Sequence, residues 1–195
     1  MTKNYYLFKR LFSLLIVGVS SMVLLGQATE ISDRAGLEAI SSNLAGSYIL
    51  TADIDLTGAD WVPLGTDSSP FTGTLDGNGH YLIGLHFDKT DNDGTVYPGG
   101  SRKMGLFSSI SGGTVKKLGI KNAYVKGGKH VGAIAGSLKN AAVVEECAVL
   151  NSYIETGDHG GSIVGNMEGQ SIVRNCYANG EVYSRASQGN GLVGM

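Results

Sequence analysis

Apolar and polar residues alternate over Tyr48–Leu56, where Leu50, Ala52, Ile54 and Leu56 interleave with Thr51, Asp53 and Asp55. A period of two sends one set of side chains to a buried face and the other to solvent, so this segment predicts a half-buried strand. The pattern returns at Phe71–Leu75 and His80–Phe87, separated by the turn-forming Asp76-Gly77-Asn78-Gly79. Leu37, Ile40 and Leu44 follow helical spacing instead, and Ser32 or Asp33 stands where an N-cap belongs, which predicts a short helix within residues 32–45. Asp88 to Arg102 is polar and glycine-rich and reads as the longest loop.

From Lys103 the pattern becomes periodic. Gly132-Ala133-Ile134-Ala135-Gly136, Gly161-Ser162-Ile163-Val164-Gly165 and Gly191-Leu192-Val193-Gly194 end on Gly136, Gly165 and Gly194, each 29 residues from the last. Leu106-Phe107 aligns with Ile134-Ala135, Ile163-Val164 and Leu192-Val193. Val115 aligns with Val144 and Val173, Leu118 with Cys147 and Cys176, and Tyr124-Val125 with Tyr153-Ile154 and Val182-Tyr183. The first interval is 28 at the glycine corner but 29 at Val115, which places a one-residue indel in the turn near Gly112-Gly113. Each repeat holds about three short β-runs between polar or glycine corners, and none has a helical stretch long enough for a helical repeat. Such a unit cannot bury its apolar face alone, so neighbours stack around a shared core. The expected fold is all-β: a single-stranded parallel β-helix with coils ~4.8 Å apart. Parallel crossovers favour the right-handed form. The helix at 32–45 is placed to cap the first coil, whose open end would otherwise expose apolar side chains and unpaired strand edges.

The N-terminus reads differently. Lys3, Lys9 and Arg10 precede the apolar run Leu11–Leu25, and small residues at Gly26 and Ala28 suit cleavage after Ala28. This is the layout of a secretory signal peptide over residues 1–28, and the run falls short of the ~20 residues of a spanning helix. No second apolar run of that length follows. Without the three basic residues of the leader, 12 basic residues face 17 acidic ones, a formal charge of −5. That balance argues against nucleic acid or anionic membrane as a partner. Gly is 30 of 195 residues with only 3 Pro, which suits many tight turns rather than collagen. The β-helix domain is therefore expected over residues 29–195, with the repeats in 103–195 and the last coil incomplete. Either the chain is a piece of a longer protein, which is the favoured reading, or its open C-terminal coil docks onto something.

Few residues carry recognisable chemistry. Cys147 and Cys176 are one period apart, so they stack on adjacent rungs, as interior thiols or, in an oxidising compartment, as a disulfide. Interior thiols are favoured because parallel side chains on neighbouring strands give poor disulfide geometry. His130 and His159 form a second ladder beside Asp158. Two imidazoles on one face could hold a transition metal weakly, but the plainer reading is an exposed polar corner, and no metal is assigned. The acidic stretch Asp88–Gly94 lacks the Glu of a calcium loop and reads as solvated. There is no His-Glu-x-x-His, no Gly-x-Ser-x-Gly and no phosphate-binding loop, and no catalytic residue or cofactor is assigned.

The Gly-Leu-Val-Gly type corners and Asn175-Cys176-Tyr177-Ala178-Asn179-Gly180 resemble GLUG-motif repeats. Leu50–Leu56, Trp61-Val62-Pro63-Leu64-Gly65 and Phe71–His80 resemble the segment that precedes such repeats. Ser108 departs from the pattern at the first corner, and Ala133 and Ser162 stand where Gly191 does, all of them small. The resemblance implies a bacterial secreted or surface protein related to adhesins and to the non-catalytic repeat regions of IgA-specific metallopeptidases. It implies no activity, since a shared fold does not carry function. The resulting expectation is a secreted or surface-exposed structural or adhesive β-solenoid, non-catalytic, whose partner is a host protein or glycan. The alternative is a carbohydrate-active β-helix enzyme, a polysaccharide lyase or glycoside hydrolase. It needs two carboxylates converging on one cleft, and Asp53, Asp55 and Asp76 are the starting set.

Overall fold

The computed structural model describes residues 27–88 and 103–185, together with the backbone of 190–193. Residues 1–26 of the signal peptide assigned over 1–28, the body of the Asp88–Arg102 loop and Gly194 lie outside the described residues.

The chain winds through three faces in every turn. It opens with β1 (Thr29–Ile31), a short α-helix α1 (Arg34–Glu38) and a 3-10 turn (Ala39–Ser42). Asp33 caps α1 by accepting a hydrogen bond from the Gly36 amide at 2.8 Å. The helical segment is thus shorter than 32–45, but Leu37 and Ile40 are fully buried, as the spacing requires. The next coil carries β2 (Ser47–Leu50) and β3 (Ile54–Asp55). The one after carries β4 (Thr74–Asp76), β5 (Tyr81–Ile83), β6 (His86–Asp88), β7 (Lys103–Met104) and β8 (Phe107–Ser111). A regular coil follows with β9 (Thr114–Lys116), β10 (Gly119–Lys121), β11 (Tyr124–Gly127), β12 (His130–Val131) and β13 (Ala135–Lys139). In the next, β14 (Val143–Glu145) leads into the longer β15 (Ala148–Thr156) and β16 (His159–Met167); then come β17 (Ile172–Arg174), β18 (Tyr177–Ser184) and β19 (Asn190–Val193).

Among the described residues, strands pair only with their counterparts one turn away, and every pair is parallel. The first face stacks β1, β2, β4, β9, β14 and β17; the second is built on β3, β5, β10, β15 and β18 with β6 and β11; the third on β7, β12, β16, β13, β8 and β19. This is a parallel β-solenoid.

Equivalent side chains stack into columns along its axis. Tyr48, Leu75, Val115, Val144 and Val173 form one. Leu82, Ile120 and Val149 form another, and Phe87, Val125 and Ile154 a third. Nearly all are fully buried, and each contributes about 1.5–3 kcal/mol by leaving water. Trp61 belongs to this core, with its indole N–H donating to the Leu106 carbonyl at 3.0 Å.

The structure corrects three details of the strand pattern. Tyr48–Leu56 and His80–Phe87 are not single strands. Each bends after three or four residues because a coil must turn from one face to the next; the alternation of buried and exposed side chains carries through the first bend, but in the second it shifts by one residue, from Leu82 to Leu85 and Phe87. Gly84, at φ 73°, makes the second bend. Next, Glu181 rather than Val182 lies over Tyr153, and Val182 lies over Ile154. The last coil has one residue fewer there; Gly180, at φ 134°, sits opposite Ser152 where the register shifts. Finally, Gly191 pairs with Gly161 rather than standing over Ser162, and a register shift restores Val193 to Val164. The Gly112-Gly113 indel is where it was expected: Ser111 pairs with Lys139, but Thr114 pairs with Val143.

Candidate functional site

The second face turns its most varied chemistry outward. Here β6, β11 and β15 bring His86, Tyr124 and Tyr153 into one column, because residues in parallel register lie directly over one another. Their rings stack nearly parallel, with centroids 5.4 Å apart for His86–Tyr124 and 5.2 Å for Tyr124–Tyr153. Ring faces therefore contact ring faces, and the column shows edges and hydroxyls to solvent.

Beside it, Glu155 is nearly buried under its partners. It accepts a hydrogen bond from the Tyr153 hydroxyl at 3.2 Å, with Lys126 at 3.6 Å and Arg185 at 3.5 Å. Burial, with this carboxylate alongside, raises the Tyr153 pKa and keeps the phenol protonated. Asn122, Tyr124, Asn151, Tyr153 and Glu181 line an open groove of about 470 Å³ next to the stack. On the neighbouring strand pair, the Lys121 ammonium sits 3.5 Å from the centre of the Tyr81 ring, a cation–π contact. The ring lies across Gly119, where a Cβ would be 2.2 Å from it.

The histidine ladder is real but is not an exposed polar corner. His130 and His159 are in register between β12 and β16, with rings edge to face at 5.1 Å. His130 is only 8% exposed. Burial first, then Lys103 and His159, pushes its pKa down to about 4, so the imidazole is neutral at ordinary pH. Asp158 Oδ1 lies 3.0 Å from His159 Nδ1.

Cys147 and Cys176 stack as expected and are free thiols. Cys147 is buried and Cys176 half-buried. Their mutual interaction lowers Cys176 to about 7 and drives Cys147 far up, with burial adding to the rise.

The corner glycines earn their place by contact rather than by backbone freedom. A Cβ on Gly136 would lie 2.6 Å from the Lys103 side chain and 2.7 Å from its backbone. One on Gly165 would lie 2.4 Å from the Val131 nitrogen.

The three carboxylates of the enzyme alternative each have separate partners. Asp53 accepts from the Tyr81 amide at 2.9 Å and contacts His80, Asp55 accepts from the Thr57 amide, and Asp76 from the Asn78 amide. Asp55 and Asp76 each hold their own bend, whereas Asp53 ties its coil to the next one. These backbone hydrogen bonds lower the pKa values of Asp53 and Asp55, the state of a capping carboxylate rather than a general acid.

Over residues 34–150 the sequence matches the family described as the M26 IgA1-specific metallo-endopeptidase N-terminal region. The chain belongs to this family. It is 33% identical over 124 residues to halomucin of Haloquadratum walsbyi, an alignment covering 55% of the chain and 1% of halomucin. It is also 33% identical over 111 residues to an immunoglobulin A1 protease of Streptococcus pneumoniae, covering 56% of the chain and 5% of that protein. The chain thus spans only a few per cent of the length of these relatives. A crystal structure of a putative immunoglobulin A1 protease from Bacteroides ovatus overlays 87% of the chain and 71% of its own, at 17% identity and a TM-score of 0.45.

Sequence reasoning aligned Tyr124 with Tyr153 but did not recognise the pair as part of a surface site. The Glu155 cluster and the Tyr81–Lys121 contact were not evident either; the one-period spacing of Lys126 and Glu155 signals the first, and nothing in the spacing signals the second. No helix among the described residues is long and apolar enough to cross a membrane.

Proposed function

We propose that this M26-type region is a secreted or surface-exposed, non-catalytic binding rod, and that it contacts a host protein through its second face. The observation that carries the reading is the His86–Tyr124–Tyr153 stack with the adjoining Lys126–Glu155–Arg185 cluster. Aromatic residues held rigid by stacking lose little entropy on binding, which is why they dominate protein interfaces. Protein suits this face better than glycan. A sugar ring packs on an open aromatic face, and here the ring faces are taken up by one another. The apolar leader and the name of the pneumococcal relatives support export and an encounter with immunoglobulin A1.

The test is binding of the purified chain to immobilised immunoglobulin A1, to a panel of extracellular host proteins and to a glycan array. Binding to a protein that the Tyr124→Ser/Tyr153→Ser double variant loses by tenfold or more, at an unchanged fold, supports the reading. Glycan binding alone, or protein binding indifferent to the double variant, overturns it.

A further inference from the structure

We propose that His130, His159 and Asp158 form a binding site for a divalent transition ion of the zinc class, bridging two successive coils. The three offer ligand atoms that all lie within 4.8 Å of one another. Zinc holds nitrogen ligands at ~2.0–2.1 Å and carboxylate oxygen at ~2.0–2.2 Å, so a small side-chain rotation closes the set on one ion.

A second, independent observation singles out this corner. Both His130 Nδ1 and His159 Nδ1 are buried without a hydrogen-bond partner, and His130 is more than nine-tenths buried. A buried polar nitrogen left unpaired is costly and rare. Asp158 Oδ1 lies 3.0 Å from His159 Nδ1 but is not aligned to hydrogen-bond it. Close approach without that alignment is the arrangement of two ligands on one ion.

The ligand types choose the metal. Two imidazoles and one carboxylate favour zinc, cobalt, nickel or copper, whereas calcium and magnesium require oxygens. Lys103 and Lys129 are the cations closest to His130. The Lys103 ammonium is held at 2.8 Å by Asp67, and Asp158 supplies the opposing charge at the site. A bound ion would tie β12 to β16 at the edge of the third face, adding a crosslink between coils to the backbone ladder. The site lies on the third face, one corner along the chain from the second-face column of His86, Tyr124 and Tyr153.

The experiment is thermal unfolding of the full chain with zinc chloride alone, joined by visible absorption of its cobalt(II) form. Zinc at a hundredfold over its Kd should raise Tm by about 5–10 °C. Calcium and magnesium should not, and cobalt should show the intense bands of a four-coordinate site. His159→Ala, at the more accessible ligand, should abolish both signals in a protein that still folds, as should His130→Gln. Asp158→Asn should weaken them by at least tenfold in metal concentration. His80→Gln, outside the site, should leave them intact. A zinc shift that survives His159→Ala, or no shift in the wild-type chain, overturns the proposal.

Discussion

Gly165 sits so close above Val131 that a methyl group on it would lie 2.4 Å from the Val131 amide nitrogen. The contact is backbone against backbone, so no side chain can rotate away. Gly165→Ala should destabilise the fold by about 1–3 kcal/mol, the cost of overpacking. Chemical denaturation of the variant against wild type measures it. Gly136→Ala meets Lys103 and Met104 in the coil below and should behave alike. An unchanged midpoint in both variants would show that the corners can open.

Lys117 holds φ 51° at a bend, and Glu146 and Asn175 repeat that conformation one and two turns on, at φ 55° and 54°. Left-handed backbone costs a residue with a Cβ about 1–2 kcal/mol. Lys117 is exposed, so its side chain adds little. Lys117→Gly should therefore stabilise the protein by about 0.5–1 kcal/mol after the greater chain entropy of glycine is counted. A lower Tm for this variant would mean that the lysine stem makes a contact that matters.

Cys176 is half-buried and its thiol titrates near 7, whereas Cys147 is buried and held protonated by Cys176 and by desolvation. The thiolate is the nucleophile. Iodoacetamide at pH 7.5 should modify Cys176 first and leave Cys147 untouched until the protein unfolds, as peptide mass mapping will show. Equal labelling of the two would contradict this ordering of the thiols.

Asp67 accepts hydrogen bonds from both Lys103 and Lys139 at 2.8 Å. Partial burial opposes its charge, but the two lysines outweigh it and lower its pKa. A carboxylate whose folded pKa lies below its unfolded value stabilises the protein above the unfolded pKa, ~3.9, and loses that contribution as pH falls through the folded one. Asp67→Asn should lower Tm at pH 7 and flatten its fall below pH 4. The Asp67 carboxylate is more than one-third exposed, so solvent screens the effect. Parallel pH curves for the two proteins would remove Asp67 from the acid response.

Much of the architecture was legible because a stack of coils makes one local rule recur. Val115, Val144 and Val173 each had to point inward at the same place in a coil, so their spacing revealed the column before any contact was seen. The bends were harder. Lys117 and Glu146 adopt a glycine-like conformation, yet nothing in a lysine or glutamate announces it; the demand comes from the coil closing on itself. The one-residue slip at Gly180 was hidden for a related reason. Val182-Tyr183 looks like a good partner for Tyr153-Ile154, and only the ladder hydrogen bonds decide that Glu181 takes the place over Tyr153.

The candidate sites divide along the same line. The sequence alone determined that Cys147 meets Cys176 and His130 meets His159, because a fixed period and parallel pairing leave each residue one neighbour above and one below. Only the tertiary structure decided that His130 is buried with an unpaired nitrogen, that Asp55 and Asp76 each cap their own bend, and that Asp53 reaches the Tyr81 amide of the next coil. Which side chains share a column is a matter of counting along the chain. How deeply a corner is covered, and what faces it across the fold, depends on segments far apart in the chain packing against one another.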